Sequence, residues 1–194
     1  AGAFVKTHDE LEIPNIQFHY APAMIVDHGR SLLWGTGMSC HSCLLRPKSL
    51  GEVTLESADP FADPLIDPKF LSHPDDIKDM VDGYKVMMKV LGSEPFSKYI
   101  TEHSQRPIDI NDDSDIEQAM REGADTVYHP VGTCKMGDDS MSVVDSRLKV
   151  HNVKGLRVVD ASIMPTIVGG NTNAPTIMIG EKASEMILED WHIH

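Results

Sequence analysis

The chain has 194 residues, 41% of them hydrophobic and 24% charged, which is the composition of a globular protein of one domain or slightly more. Its net charge of −13 argues against nucleic acid as a partner and against docking to anionic lipid through charge. No apolar run reaches the roughly 18 to 20 residues that a membrane-spanning helix needs.

The start of the chain and its cysteines bear on protein processing and on the redox state of the compartment. The first residues, 1–6, are not a basic stub followed by an apolar run, so we expect no signal peptide. The chain begins without a methionine and in mid-pattern, so we expect a piece of a longer protein. Three cysteines make an odd count without a disulfide framework, which favours a reducing interior.

The first sixty residues are predicted to be rich in strands. Apolar residues alternate in part over residues 15–26 and 38–46, and most cleanly over residues 51–57. The connection over residues 58–68 is rich in proline and aspartate, so we expect it to be extended.

The longest helix is predicted from Ser72 to Leu91. Ser72 can cap it, Pro74 suits its first turn, and apolar residues recur on one face up to Gly92, which stops it.

Two more helices are predicted in the second half. One opens with a capping box at residues 114–117 and ends near Gly123, and the other runs from its N-cap Asn173 to about Glu189. Short strands are predicted at 143–150 and 156–160. Because strands come mainly first and helices later, we predict an α+β fold, an antiparallel sheet flanked by helices.

The densest chemistry lies in Tyr128–Gly137, where a single histidine, His129, sits within a turn of small residues. A neutral imidazole can take the proton of a hydroxyl group within hydrogen-bonding reach. His129 is therefore the candidate base. Spacing alone leaves the alternative open that it is a turn histidine satisfied by backbone groups.

A second segment, Gly169–Thr176, places two glycines and two asparagines at the start of a helix. The glycines allow a backbone to approach a ligand closely, and the exposed amides of a helix start favour negative charge. Asn173 has a structural role as the predicted N-cap, whereas Asn171 has none. Asn171 is therefore the candidate for holding a substrate oxygen, with a plain loop-to-helix junction as the alternative.

The sequence Cys40-His41-Ser42-Cys43 contains two cysteines at a spacing found in metal sites. A zinc site needs a second ligand pair, and strand alternation places Cys40 and Cys43 on opposite faces. We therefore expect packing rather than metal binding or redox function, and no metal site.

Long motifs resemble one family along nearly the whole chain. In chain order they are Arg46–Leu55, Asp63–Pro68, Tyr128–Gly137, Val143–Asp145, Gly155–Pro165, Gly170–Thr176 and Ile179–Lys182. The chain resembles the C-terminal third of a glucose–methanol–choline (GMC) oxidoreductase. Within that family, the run Cys40–Ser49 looks closer to bacterial alcohol dehydrogenases acting on aliphatic primary alcohols, with choline dehydrogenases as near neighbours.

The resemblance implies an FAD-dependent oxidation of a primary alcohol to an aldehyde, with hydride transfer to flavin N5. It assigns removal of the hydroxyl proton to His129 and the hold on the oxygen to Asn171. It places the Asp160–Ser162 segment along the flavin and its ribityl chain, and the start of the last helix towards the ring. The implied cofactor-binding residues are Asp160, Ala161, Asn171, Thr172 and Asn173.

One departure from the family concerns the dinucleotide-binding motif G-x-G-x-x-G, which this sequence does not contain. The resemblance is thus to the substrate-binding domain, residues 1–142, and to a segment that returns to the FAD domain with its terminal strand and helix, residues 143–194. We expect the isolated chain to be inactive without the N-terminal FAD domain.

The implied partners are a small alcohol, a quinone or other electron acceptor, and that FAD domain; nucleic acid is not expected. A choline dehydrogenase and a non-catalytic binding module of the same fold are the alternatives. The expected location is cytoplasmic, with peripheral attachment at the inner membrane as a variant.

Overall fold

The structure, a computed structural model, describes residues 1–26, 31–101 and 108–192. It divides into two compact units, each described by itself below. Unit 1 comprises Ala1–Gly51 and Pro68–Val127, and unit 2 comprises Glu52–Asp67 and Tyr128–His194. The boundary expected at residue 142 concerns the two domains of full-length family members, and it stays a prediction.

Unit 1 is built on a three-stranded antiparallel sheet in the order β1 (Gly2–Val5), β2 (Ile16–Ala21) and β5 (Ser39–Leu44). A two-stranded pair, β3 (Ile25–Val26) and β4 (Ser31–Leu32), lies between β2 and β5 in the chain. The strands predicted within residues 15–26 and 38–46 are therefore confirmed.

Helix α1 (Pro74–Leu91) packs on this sheet. The core between them contains Ile16, Phe18 and Met87, each at most 7% exposed. A β-carbon on Gly83 of α1 would lie 2.9 Å from Cγ1 of Ile16, so the missing side chain allows the helix to approach β2 closely.

The prediction that Ser72 caps α1 is wrong. The N-cap is His73, whose ring nitrogen Nδ1 accepts a hydrogen bond from the amide of Asp75 at 3.2 Å. The cause is Pro74, because a residue before proline is restricted to extended backbone, and His73 has φ −87° and ψ 133°.

Two further helices complete unit 1, α2 (Glu94–Ser97), which was not predicted, and α3 (Asp113–Gly123). The N-cap of α3 is Asp112 rather than Ser114, because the Asp112 carboxylate accepts from the Ser114 amide at 2.9 Å and starts the helix earlier. Helix α3 packs on α1 and buries Ile116 completely.

A buried carboxylate holds the loop that follows β5. Asp76, in the first turn of α1, is 3% exposed and accepts from the amides of Lys48 and Ser49 and from the Ser49 hydroxyl, at 2.6–3.1 Å. The Ser49 hydroxyl oxygen also accepts from the His73 amide at 3.0 Å. These bonds supply the partners that a buried charge requires.

Unit 2 begins with an antiparallel pair, β6 (Glu52–Thr54) and β7 (Leu65–Asp67). The strand predicted at 51–57 is thus present but shorter, and part of the connection expected to be extended forms its partner. The strands predicted at 143–150 and 156–160 are wrong: this region contains only isolated bridges, such as Val144 with Val150. Leu148 has a φ of 64°, which a strand residue does not adopt, so a continuous strand over 143–150 is interrupted there.

Helix α4 (Asn173–Asp190) closes unit 2 and matches the predicted third helix. Its residues Ile179 and Ala183 pack with Val144, Ile163 and Met164 into the core of the unit, all at most 6% exposed. None of the helices in the described ranges is long and apolar enough to cross a membrane. Antiparallel strands with packed helices confirm the predicted α+β class.

Candidate active site

The His129 segment lies against the segment predicted to follow the flavin. The amide of Cys134 donates to the carbonyl oxygen of Ser162 at 3.0 Å, and the amide of Met136 donates to that of Ile163 at 2.8 Å. Gly132, with φ 87°, passes so close that a β-carbon there would lie 3.4 Å from the Met164 carbonyl oxygen. The two segments are therefore held together by backbone.

Asp160 and Ala161 begin a short 3-10 helix, Ala161–Ile163. The Asp160 carboxylate accepts from the amide of Ser162 at 2.8 Å and from its hydroxyl, so it fixes the local turn. Asp160 is exposed and Ala161 is half-buried, while Ile163 and Met164 reach the core beside α4. One turn thus connects the His129 segment to the last helix.

The start of α4 corrects the sequence prediction for Asn173. The N-cap is Thr172, whose carbonyl oxygen accepts from the amide of Thr176 at 3.0 Å and from its hydroxyl at 2.7 Å. An N-cap residue is the one whose carbonyl accepts the first helical bond, so Asn173 lies within the first turn instead. The Thr172 side chain makes no capping hydrogen bond.

This helix start suits a group that carries negative charge. The first amides of a helix have no acceptor within it, which here concerns Asn173 and Ala174, while Pro175 has no N–H. Asn171 and Asn173 are exposed, and Thr172 is buried at 9% exposure. The donor set therefore fits the polar, electron-accepting edge of a flavin ring, where a helix N-terminus stabilises negative charge.

His129 is half-buried and lies between exposed Tyr128 and Pro130. His129 and Asn171 both belong to unit 2. Val131, two residues after His129, and Val168, three residues before Asn171, pack on the same core. The pairing of the two side chains around a substrate oxygen stays a prediction, as do the five cofactor contacts.

The two cysteines at residues 40 and 43 lie on β5, as predicted, on opposite faces. Cys40 packs against the core of unit 1, whereas Cys43 Sγ lies 3.7 Å from Nε2 of His19 on the other face. Burial raises the pKa of both thiols. Within the described ranges, no group of three or more His, Cys, Asp or Glu side chains could hold a metal ion.

An ion cluster at the far end of α4 was missed by sequence reasoning. Asp190 pairs with Arg147 at 2.9 Å, with Lys149 at 2.6 Å and with Arg157. Hydrogen bonds from Lys149 and Arg157 lower the pKa of Asp190 to about 2. Arg147 also contacts Glu189 at 3.1 Å. Positive charges near a helix C-terminus interact favourably with the helix dipole. This cluster therefore anchors the end of α4 opposite the candidate site.

A shallow apolar cavity of about 270 Å³ lies along α4. Its lining residues are Val159, Gly180, Ala183, Ser184, Ile187 and Leu188. Ile177 and Met178 are also exposed, at 58% and 57%. Helix α4 is thus apolar on a second side, besides the side that faces the core of unit 2.

Sequence comparison identifies the family of this α+β chain. A family model described as GMC oxidoreductase matches residues 47–180. The chain belongs to the GMC oxidoreductase family. FAD is the cofactor that this family and its solved FAD-containing members indicate.

Two curated relatives are similar over nearly the whole chain. An alcohol dehydrogenase [acceptor] of Pseudomonas putida is 47% identical over 188 residues, which are 97% of this chain and 34% of that protein. An oxygen-dependent choline dehydrogenase of Klebsiella pneumoniae is 41% identical over 187 residues, 96% of this chain and 34% of that protein. The chain spans about a third of the length of these relatives.

Solved structures give the same picture. A formate oxidase variant from Aspergillus oryzae, studied for FAD modification, is 30% identical with a TM-score of 0.83, over 93% of this chain and 32% of that one. Pyridoxine 4-oxidase from Mesorbium loti has a TM-score of 0.85 over 100% of this chain and 38% of that one. At 24% identity, the second likeness shows the fold alone.

Proposed function

We propose that this chain is the C-terminal third of an FAD-dependent dehydrogenase that oxidises a primary alcohol to an aldehyde. The observation that carries the proposal is the pair of backbone hydrogen bonds from Cys134 and Met136 to Ser162 and Ile163. They hold the His129 segment against the segment predicted to follow the flavin. The 47% identity to an alcohol dehydrogenase supports this substrate class.

When bound, FAD supplies the acceptor for a hydride from the alcohol carbon. His129 accepts the hydroxyl proton as the hydride leaves, because a neutral imidazole within reach of a hydroxyl is a competent base. The Asn171 amide donates to the alcohol oxygen and so restrains the substrate while negative charge develops there. Both residues remain half-buried or exposed in the chain, so a substrate can reach them.

The start of α4 has a separate electrostatic role. The first-turn amides of Asn173 and Ala174, together with the helix dipole, would favour negative charge on a flavin bound there. Asp160 and Ala161 would lie along the flavin and its ribityl chain. The ion cluster at Asp190 keeps the other end of the helix in place.

The remaining parts of the activity belong to the longer protein. We propose that the N-terminal FAD domain binds the dinucleotide, and that a quinone or other acceptor removes the electrons. The second apolar side of α4 would be covered by that domain. A cytoplasmic location, with peripheral attachment at the inner membrane, is part of the same proposal.

A choline dehydrogenase is the second candidate, because a choline-oxidising relative is 41% identical over 96% of the chain. The full-length protein should be assayed for dye reduction with choline and with a series of aliphatic primary alcohols. Higher kcat/KM with the aliphatic alcohols supports the proposal, and higher kcat/KM with choline supports the alternative. A non-catalytic binding module would reduce the dye with neither.

A further inference from the structure

Tyr128, the residue before His129, has a backbone conformation that aromatic residues rarely adopt. Its φ is 64°, in the left-handed region that glycine occupies without strain. The residue is 68% exposed in the described chain, so packing in the core of unit 2 is not what holds it in this conformation.

Other left-handed residues of the described chain are buried, are of a type that tolerates this region, or lie in a turn. They are Lys69, Leu71, Leu148, Asn152 and His192. Leu71 and Leu148 are 8% and 5% exposed, so their side chains gain a place in the core. Asparagine and histidine tolerate the left-handed region better than most residues, and the Lys69 carbonyl accepts from the Ser72 amide in a turn. Tyr128 has neither burial nor a tolerant side chain.

The chain around Tyr128 is restrained on its C-terminal side. Pro130 favours extended backbone at His129, and the hydrogen bond from the Cys134 amide to the Ser162 carbonyl anchors the segment six residues after Tyr128. The direction in which the chain enters His129 is therefore set at residue 128. For a residue with a β-carbon, the left-handed region is narrow, roughly φ +50° to +70° and ψ +30° to +60°, whereas glycine has a broad range.

We infer that Tyr128 is a positioning residue for His129: its narrow left-handed conformation fixes the direction in which the imidazole points. This inference rests on the proposed role of His129 as the base. It assigns the effect to the backbone at residue 128 and not to the phenol ring. A base has to lie in one productive geometry, and a displacement of about 1 Å can cost roughly 100-fold in rate.

Two substitutions in the full-length protein separate backbone from ring. Tyr128→Asn removes the ring but keeps a β-carbon in a residue that tolerates the left-handed region, so flavin reduction should stay within about threefold of wild type. Tyr128→Gly removes the ring and also widens the backbone range, so the reduction rate should fall roughly 10- to 100-fold. KM for the alcohol, FAD content and Tm should change little in either variant.

Asn152→Gly is the matched control, because it widens the backbone at an exposed left-handed residue with no site role; its reduction rate should equal that of wild type. Equal losses in Tyr128→Asn and Tyr128→Gly would overturn the inference in favour of the ring, and a wild-type rate in Tyr128→Gly would overturn it outright. His129→Ala separates the two claims. A slow His129→Ala with a normal Tyr128→Gly refutes positioning alone, and a normal His129→Ala refutes both.

Discussion

The amide of Met136 donates a hydrogen bond to the carbonyl oxygen of Ile163 with 2.8 Å between the two atoms. Ile163 is 5% exposed and packs in the same core as Ile179 of α4. This bond joins the end of the His129 segment to the turn beside the last helix. The three segments that carry the predicted site residues are thereby built on one core.

Substitution of Asn171 should affect the rate of flavin reduction, whereas substitution of Asn173 should have little effect on stability. In the full-length protein, Asn171→Ala should slow flavin reduction by roughly 10- to 10³-fold, the scale of losing one donor to a developing charge. Asn173→Ala should change the free energy of unfolding by less than about 0.5 kcal/mol, because Thr172 and not Asn173 is the N-cap. Stopped-flow reduction and thermal melting of both variants test this. A large fall in Tm for Asn171→Ala with a normal rate would make it a structural residue.

Cys40 and Cys43 should not bind a metal ion. Cys40→Ser should lower stability by roughly 1 kcal/mol, because a hydroxyl replaces sulfur beside the core of unit 1. Cys43→Ser, on the opposite face, serves as the control and should cost less. Elemental analysis should find no stoichiometric zinc; zinc that is present in wild type and lost in Cys40→Ser contradicts the packing interpretation.

Asp190 should make stability depend on pH at the acid end. Its folded pKa of about 2 lies below the ordinary 3.8, so its contribution to stability is present above pH 3.8 and is lost as the pH falls towards 2. In the full-length protein, the Tm deficit of Asp190→Asn should be largest above pH 4 and should shrink below it. Asp138→Asn, an exposed aspartate, is the control. A deficit that is constant down to pH 2.5 would rule out titration of Asp190.

The chain expressed by itself should not retain FAD tightly. Its sequence contains no G-x-G-x-x-G loop, which in dinucleotide-binding folds holds the pyrophosphate at a helix start. Absorbance near 450 nm and released flavin measure the FAD content after purification without added cofactor. A yellow protein with one FAD per chain would be incompatible with this prediction.

The helices could be predicted from sequence, but their caps could not. Apolar periodicity placed α1, α3 and α4 correctly, because burial of one face decides where a helix forms. The predicted caps Ser72, Ser114 and Asn173 were each displaced, since backbone restraint before Pro74 and nearby oxygen acceptors decide the first turn. Cap prediction from side-chain type carries an error of one or two residues.

The sequence suggests candidate site residues, which stay predictions, but it does not indicate how the segments that carry them are joined. His129 and Asn171 stand out because imidazole and amide groups lie among small residues, and the motifs around them resemble one family. The contact of residues 134 and 136 with residues 162 and 163 is made by backbone atoms, which leave no side-chain pattern. The cluster at Asp190 also depends on residues more than 30 positions away, so spacing could not indicate it.

The central claim is that His129 removes the proton during alcohol oxidation. The most direct measurement is the rate of flavin reduction by a primary alcohol in stopped flow, for the full-length protein and for His129→Ala with matched FAD content. His8→Ala, which removes a half-buried histidine paired with Asp82 in unit 1, is the control and should react like wild type. We expect His129→Ala to reduce flavin roughly 10² to 10⁴ times more slowly, the usual contribution of a positioned acid–base group. Reduction at a near wild-type rate in that variant would contradict the account.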